Sequence, residues 1–207
     1  MEDASRSEGF IHHCSREPLI PGASLMAEIA GFVIITAGLV YISRASLLRP
    51  SSHGFYRFFA WECILMLFLF NAQFWFDQPL SLHQVFSWLL LIMSLLFLLP
   101  GLDLLRRKGK AIEGHRDEPL LAFEKTTTLV TDGIYHYIRH PLYSSLLFLG
   151  WGIFFKDPSP LGGILAVAAT GFLILTARAE ERENIRYFGD AYREYMGRTK
   201  MFVPYLL

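Results

Sequence analysis

The sequence predicts an all-α integral membrane helical bundle of about five transmembrane helices, ending in a helical hairpin and a cytoplasmic amphipathic helix. Three observations predict it. Of 207 residues, 53% are hydrophobic and only 18% charged, whereas a soluble domain carries about a quarter charged residues. The apolar residues are gathered in long unbroken blocks. The basic residues fall almost entirely on alternate connections between those blocks.

Each element follows from its own stretch. Ser24 to Ser43 carries a single charge, Glu28, and Phe58 to Phe76 a single charge, Glu62. Gln84 to Leu102 has none in 19 residues, enough to cross a hydrocarbon core of roughly 30 Å. A soluble bundle would keep a polar stripe on each helix, and this third block has none. Short connections predict that these three spans form a tight antiparallel group. Pro141 to Phe155 is uncharged but brief, about 22 Å as a helix. Pro160 to Ala177 is uncharged and rich in Gly and Ala, so its backbone can approach a neighbour closely. Lys156-Asp157-Pro158-Ser159-Pro160 joins these two as a tight turn, and the pair is expected to pack on itself. From Arg178 onward a charged amphipathic helix is expected, with Ile185, Phe188, Tyr192 and Tyr195 inward. The boundaries are thus a polar N-terminal tail (1–23), three transmembrane helices (24–102), a cytoplasmic connector (103–142), a transmembrane hairpin (143–178) and a cytoplasmic C-terminal helix and tail (179–207).

Charge sets the orientation. Of the 19 Lys and Arg, only Arg6, Arg16 and Lys156 lie outside the first connection, the connector and the C-terminal region. The positive-inside rule makes that side cytoplasmic. No basic run with interleaved aromatics points to nucleic acid. Cys14 and Cys63 make no disulfide framework, and residues 1–23 lack the regions of a cleavable signal peptide.

The chemistry-bearing residues form two clusters at the base of the hairpin. The first is Thr131-Asp132-Gly133-Ile134-Tyr135-His136-Tyr137-Ile138-Arg139-His140-Pro141-Leu142-Tyr143, and the second is Arg178-Ala179-Glu180-Glu181. His136 and His140 are spaced i, i+4, but a zinc site needs three or four ligands, and Pro141 disfavours helix at His140; no metal is expected. No serine elbow or phosphate loop is present. Arg139 and Arg178 also suit residues snorkelling at span ends, and the tyrosines suit an interfacial belt.

Taken in order, Thr128-Leu129-Val130-Thr131-x-Gly133-x-Tyr135, Arg139-His140-Pro141-x-Tyr143, Arg178-x-Glu180-Glu181 and Phe188-Gly189-x-x-Tyr192-x-x-Tyr195 resemble the isoprenylcysteine carboxyl methyltransferase family of phospholipid-methyltransferase-like membrane enzymes. The resemblance covers roughly residues 120 to 205. It implies an S-adenosyl-L-methionine cofactor held by Thr127, Thr128, Leu129, Val130, Tyr135, His140, Pro141, Leu142, Tyr143 and Glu180, which places a cofactor-binding segment in the connector. Arg178 would orient the acceptor's carboxylate, and Arg178 and His140 would be the catalytic pair. The implied activity is methyl transfer to a lipid-like or prenylated substrate at the cytoplasmic membrane face, an isoprenylcysteine carboxylate first. A phosphatidylethanolamine amine is the alternative, with His140 or Glu181 as base. A nicotinamide-dependent sterol-type reductase and a non-catalytic membrane protein remain as rivals.

Overall fold

The computed structural model describes residues 21–108 and 128–204. Within them lie six α-helices: α1 Pro21–Leu47, α2 His53–Asn71, α3 Leu82–Lys108, α4 Pro141–Phe154, α5 Pro160–Phe188 and α6 Asp190–Arg198. Helices α1, α2, α3 and α5 are long and apolar enough to cross a membrane, and the protein is a multi-pass integral membrane protein. The fifth expected span, α4, has 14 residues, about 21 Å, and is a shorter apolar helix rather than a full crossing. Pro141 fixes its first turn, because the ring presets φ and bars helix at the residue before it.

Two expectations about packing change. Helix α3 lies along α4 rather than completing a trio with α1 and α2, and α5 makes its broadest contact with α2 rather than with its hairpin partner. Side-chain size explains both. The buried residues of α3 are Gln84, Ser87, Ser94, Phe97 and Gly101, a seam at three-, four- and seven-residue steps with mostly small members. Ser87 Oγ donates to Gly152 O at 2.7 Å and Ser94 Oγ to Ser145 O at 2.8 Å. Such interhelical bonds contribute about 0.6 kcal/mol each in a bilayer. Gly101 faces Pro141, and a Cβ there would lie 3.3 Å from its ring. The small residues of α5 serve both neighbours: Ala166 and Ala169 pack on Ile64 and Leu67 of α2 and Ile153 of α4, and Gly162 faces Phe154 of α4.

The end of the bundle distant from the two polar clusters is locked around Lys156. Its ammonium donates to Gln84 Oε1 at 3.0 Å and lies 3.5 Å over the Trp88 ring and 5.1 Å from that of Trp75. Gln84 Nε2 in turn donates to Lys156 O and Phe74 O, and Asn71 Nδ2 donates to Ile153 O. Burial pushes the Lys156 pKa down.

At the other end the brevity of α4 leaves a recess. Pro141 starts beside Gly101, so the last seven residues of α3 continue past it by about 10 Å. Helix α5 also runs on, unbroken through Arg178 to Phe188, where the sequence placed a new helix at 179. No residue between them breaks the helix until Gly189, whose φ of +60° suits glycine and whose N–H donates to Ile185 O at 3.0 Å. A 3₁₀ turn, Gly133–His136, and the segment after α6 fill part of the recess. That segment runs parallel to 137–140: Arg139 N–H donates to Lys200 O at 2.8 Å and Lys200 N–H to Tyr137 O at 3.0 Å. Phe202 is buried with Ala60, Tyr143, Leu173 and Ala177.

Candidate active site

Three elements supply the walls of the recess, and each is held for a local reason. His140 precedes Pro141 in non-helical backbone, which aims its ring across the start of α4 toward α5. There His140 Nδ1 lies 3.8 Å from Glu180 Oε2 and Nε2 lies 3.4 Å from Glu181 Oε1. The ring stacks on Tyr143, one turn on, with centroids 5.4 Å apart and planes within 20°. Its side chain is 3% exposed, yet Nε2 has no hydrogen bond of good geometry.

The two glutamates divide their tasks. Glu181, buried, accepts from Arg139 Nε at 2.7 Å. The same guanidinium donates through Nη1 to Met196 O at 3.2 Å and to Thr199 O. Arg139 therefore ties the Arg-His-Pro run, α5 and the end of α6 into one unit, and is no snorkelling residue. Glu180 keeps a carboxylate 32% exposed to the recess, where a ligand can reach it. Aligned with carboxylate, such a group accepts charge-assisted hydrogen bonds about twice as strong as neutral ones.

Tyrosines close the far side. Tyr195 donates from its hydroxyl to Tyr135 O at 2.6 Å, fastening α6 to the 3₁₀ turn. Burial pushes the phenols of Tyr135, Tyr192 and Tyr195 up; the charge of Glu180 raises Tyr135 and Tyr192 further. All three stay neutral. Lys108, at the end of α3, pairs with Asp132, and that hydrogen bond holds the exposed carboxyl of Asp132 down.

The structure thus brings Tyr135, His140, Tyr143 and Glu180 together. Pro141 and Leu142 face Gly101 of α3. Val130 is buried, Leu129 half-buried and Thr128 exposed, with Thr128 Oγ1 donating to Lys108 O at 3.0 Å. Thr127 falls outside the described residues. Arg178 is exposed on the same strip of α5 as Gly171, Leu175 and Arg182, and 200° of helical rotation separates it from Glu180. It is not part of the cluster. Sequence reasoning missed Arg139 as a clamp; Tyr192, expected on an inward face, is buried there within the electrostatic reach of Glu180. Charge pairing of Arg139 with Glu181 was the available signal, but the partners stand 42 residues apart.

Residues 82–191 match the family model described as phospholipid methyltransferase, which is more than half of the chain. The chain belongs to that family. The matched stretch runs from the start of α3 into α6 and contains His140, Glu180 and Glu181; α1, α2 and the segment after α6 lie outside it. Among curated family relatives, the human protein-S-isoprenylcysteine O-methyltransferase is 31% identical over 108 residues, half of this chain and 38% of that protein. Methanethiol S-methyltransferase 1 of Bradyrhizobium diazoefficiens is 34% identical over 73 residues, 35% of this chain and 25% of that protein. Methanethiol S-methyltransferase of Mycobacterium tuberculosis is 28% identical over 72 residues, 35% of this chain and 29% of that protein. The chain therefore aligns with well under half the length of these relatives. No solved structure matches it.

Proposed function

We propose that the protein is an S-adenosyl-L-methionine-dependent methyltransferase acting on a lipophilic carboxylate, of the isoprenylcysteine type, at the cytoplasmic face of the membrane. One observation carries this reading: His140 of the Arg-His-Pro run and Glu180 of α5 stand 3.8 Å apart at one end of the bundle, in a recess walled by tyrosines. The residues present fit such a donor. An accessible carboxylate suits an ammonium or ribose hydroxyls, the His140–Tyr143 stack offers a flat face, and tyrosine rings attract a sulfonium. His140 Nε2, buried without a good hydrogen bond, is a polar atom left for a ligand.

The cofactor, when bound, supplies an electrophilic methyl on a positively charged sulfur. What the chain must do is hold and orient. Arg139 keeps Glu181 engaged, so that Glu180 alone is presented to the recess. Neutral phenols at Tyr135 and Tyr192 line it without adding charge. Positioning at a near-attack distance of about 3–3.5 Å lowers a barrier by several kcal/mol. A carboxylate acceptor is already ionised at neutral pH; a C–O bond forms as the C–S bond breaks, and no proton moves. Arg178, on the face of α5 turned away from Glu180, has no part in this arrangement; alanine there should leave donor affinity and the acceptor's KM unchanged, and a raised KM would return it to the acceptor site.

The names of the bacterial relatives favour a second reading, in which the acceptor is a small thiol. An amine acceptor would need His140 or Glu181 to take a proton. Purified protein given labelled methyl donor and, separately, a prenylated cysteine, methanethiol and phosphatidylethanolamine decides among them. Label on the prenylcysteine ester upholds the carboxylate reading. S-adenosylhomocysteine should raise Tm by mass action; stabilisation by NADPH instead would replace methyl transfer with reduction.

A further inference from the structure

On the α2 side of α5, away from the recess, a second polar cavity of about 220 Å³ opens between the α1–α2 turn and the end of α5. We propose that it is a binding site for a phosphate group, carried by a lipid headgroup or free in solution. Arg49 enters it from the turn, and Arg182 and Arg186 from α5, with the hydroxyls of Ser51 and Ser52 beside them.

Three features select an anion of more than one charge. Among the described residues, none of these three arginines makes an ion pair. Arg182 and Arg186 stand i, i+4 on one helix, where like charges repel unless an anion lies between them. The carboxylate lining the cavity, Glu183, is already engaged: it lies 2.5 Å from His53 Nδ1 and accepts from His53 N–H at 3.3 Å. Glu183 therefore caps the start of α2 and leaves the guanidiniums to an external ligand. Their planar forks match phosphate oxygens in pairs.

The location fits as well. The turn joins two spanning segments that end at Leu47 and begin again at His53, so the cavity lies at the depth of membrane phosphates. Glu181 reaches Arg139 on one side of α5 and Glu183 reaches His53 on the other. The two sites share a helix but no side chain, and this one does not depend on the methyl-transfer reading.

The test is thermal unfolding of the full chain in a neutral, phospholipid-free detergent. Inorganic phosphate is compared with chloride at equal ionic strength, and phosphatidic acid with oleate at equal charge. Phosphate or phosphatidic acid should raise Tm by about 3–6 °C at saturation. Arg182→Gln with Arg186→Gln should abolish the rise, and Arg49→Gln, from the opposite wall, should halve it or more. Arg182→Lys with Arg186→Lys, which keeps charge but not the fork, should restore only part. A rise with inorganic phosphate assigns the free anion; a rise with phosphatidic acid alone assigns the headgroup. Equal rises with chloride or oleate, no rise with either phosphate compound, or a rise that survives both the double glutamine variant and Arg49→Gln overturns the proposal.

Discussion

The two ends of this bundle each bury a cation, and they do so by opposite means. Around Lys156 the ammonium meets a neutral amide and two indole faces, and the amide's own donors go to backbone carbonyls. Nothing there is left over. Around Arg139 the cation meets a carboxylate and two carbonyls, while next to it Glu180 and His140 keep unspent hydrogen-bonding capacity. The first arrangement fastens helices. The second builds a rigid frame around groups with hydrogen-bonding capacity to spare.

The comparison breaks most visibly at Arg139. Arg139→Ala leaves Glu181 buried without its partner, and chemical unfolding in detergent should register a loss of about 3–5 kcal/mol. A loss below ~1 kcal/mol would mean that the clamp is not a frame. Glu180→Ala should separate binding from folding: donor affinity falls about 10- to 100-fold, the size of a lost charge-assisted bond, with Tm nearly unchanged. Lys156→Met should do the reverse. It strands Gln84 Oε1, lowers stability by about 1–3 kcal/mol, and leaves donor affinity alone; calorimetric titration of both variants reads the contrast directly.

The finest effect is in alkali. Folded Tyr192 has a raised pKa, so above the ordinary phenol value near 10 the unfolded chain loses a proton that the folded chain keeps. Stability is then full below pH ~10 and falls as pH rises beyond it. Tyr192→Phe removes one such group, and its unfolding free energy should decline less steeply over that range. An identical slope in the wild type and the variant would place Tyr192 outside the buried wall.

Hydropathy alone exposed the spanning segments, because a bilayer demands long uncharged runs. It also flagged the shortness of the Pro141 segment, and the ordered motif residues Tyr135, His140, Tyr143 and Glu180 do meet. What escaped was pairing across distance. Charges from Arg178 to Arg186 read as a fresh helix, yet with no breaker before Gly189 the backbone simply continues. The Gly and Ala stripe of α5 identified a close-packing face, but the neighbour expected there was α4, and α2 makes the broader contact. Arg139 suited a snorkelling cation and Lys156 a turn residue, because Glu181 and Gln84 are remote in sequence.

The Arg139 clamp also dictates when the enzyme can exist. Its partners Glu181, Met196 and Thr199 follow it by 42, 57 and 60 residues. A nascent chain that has delivered α4 to the translocon therefore carries an uncompensated guanidinium until Glu181, Met196 and Thr199 have also left the ribosome. Ribosome-stalled intermediates that stop short of Thr199 should insert but not recognise the donor.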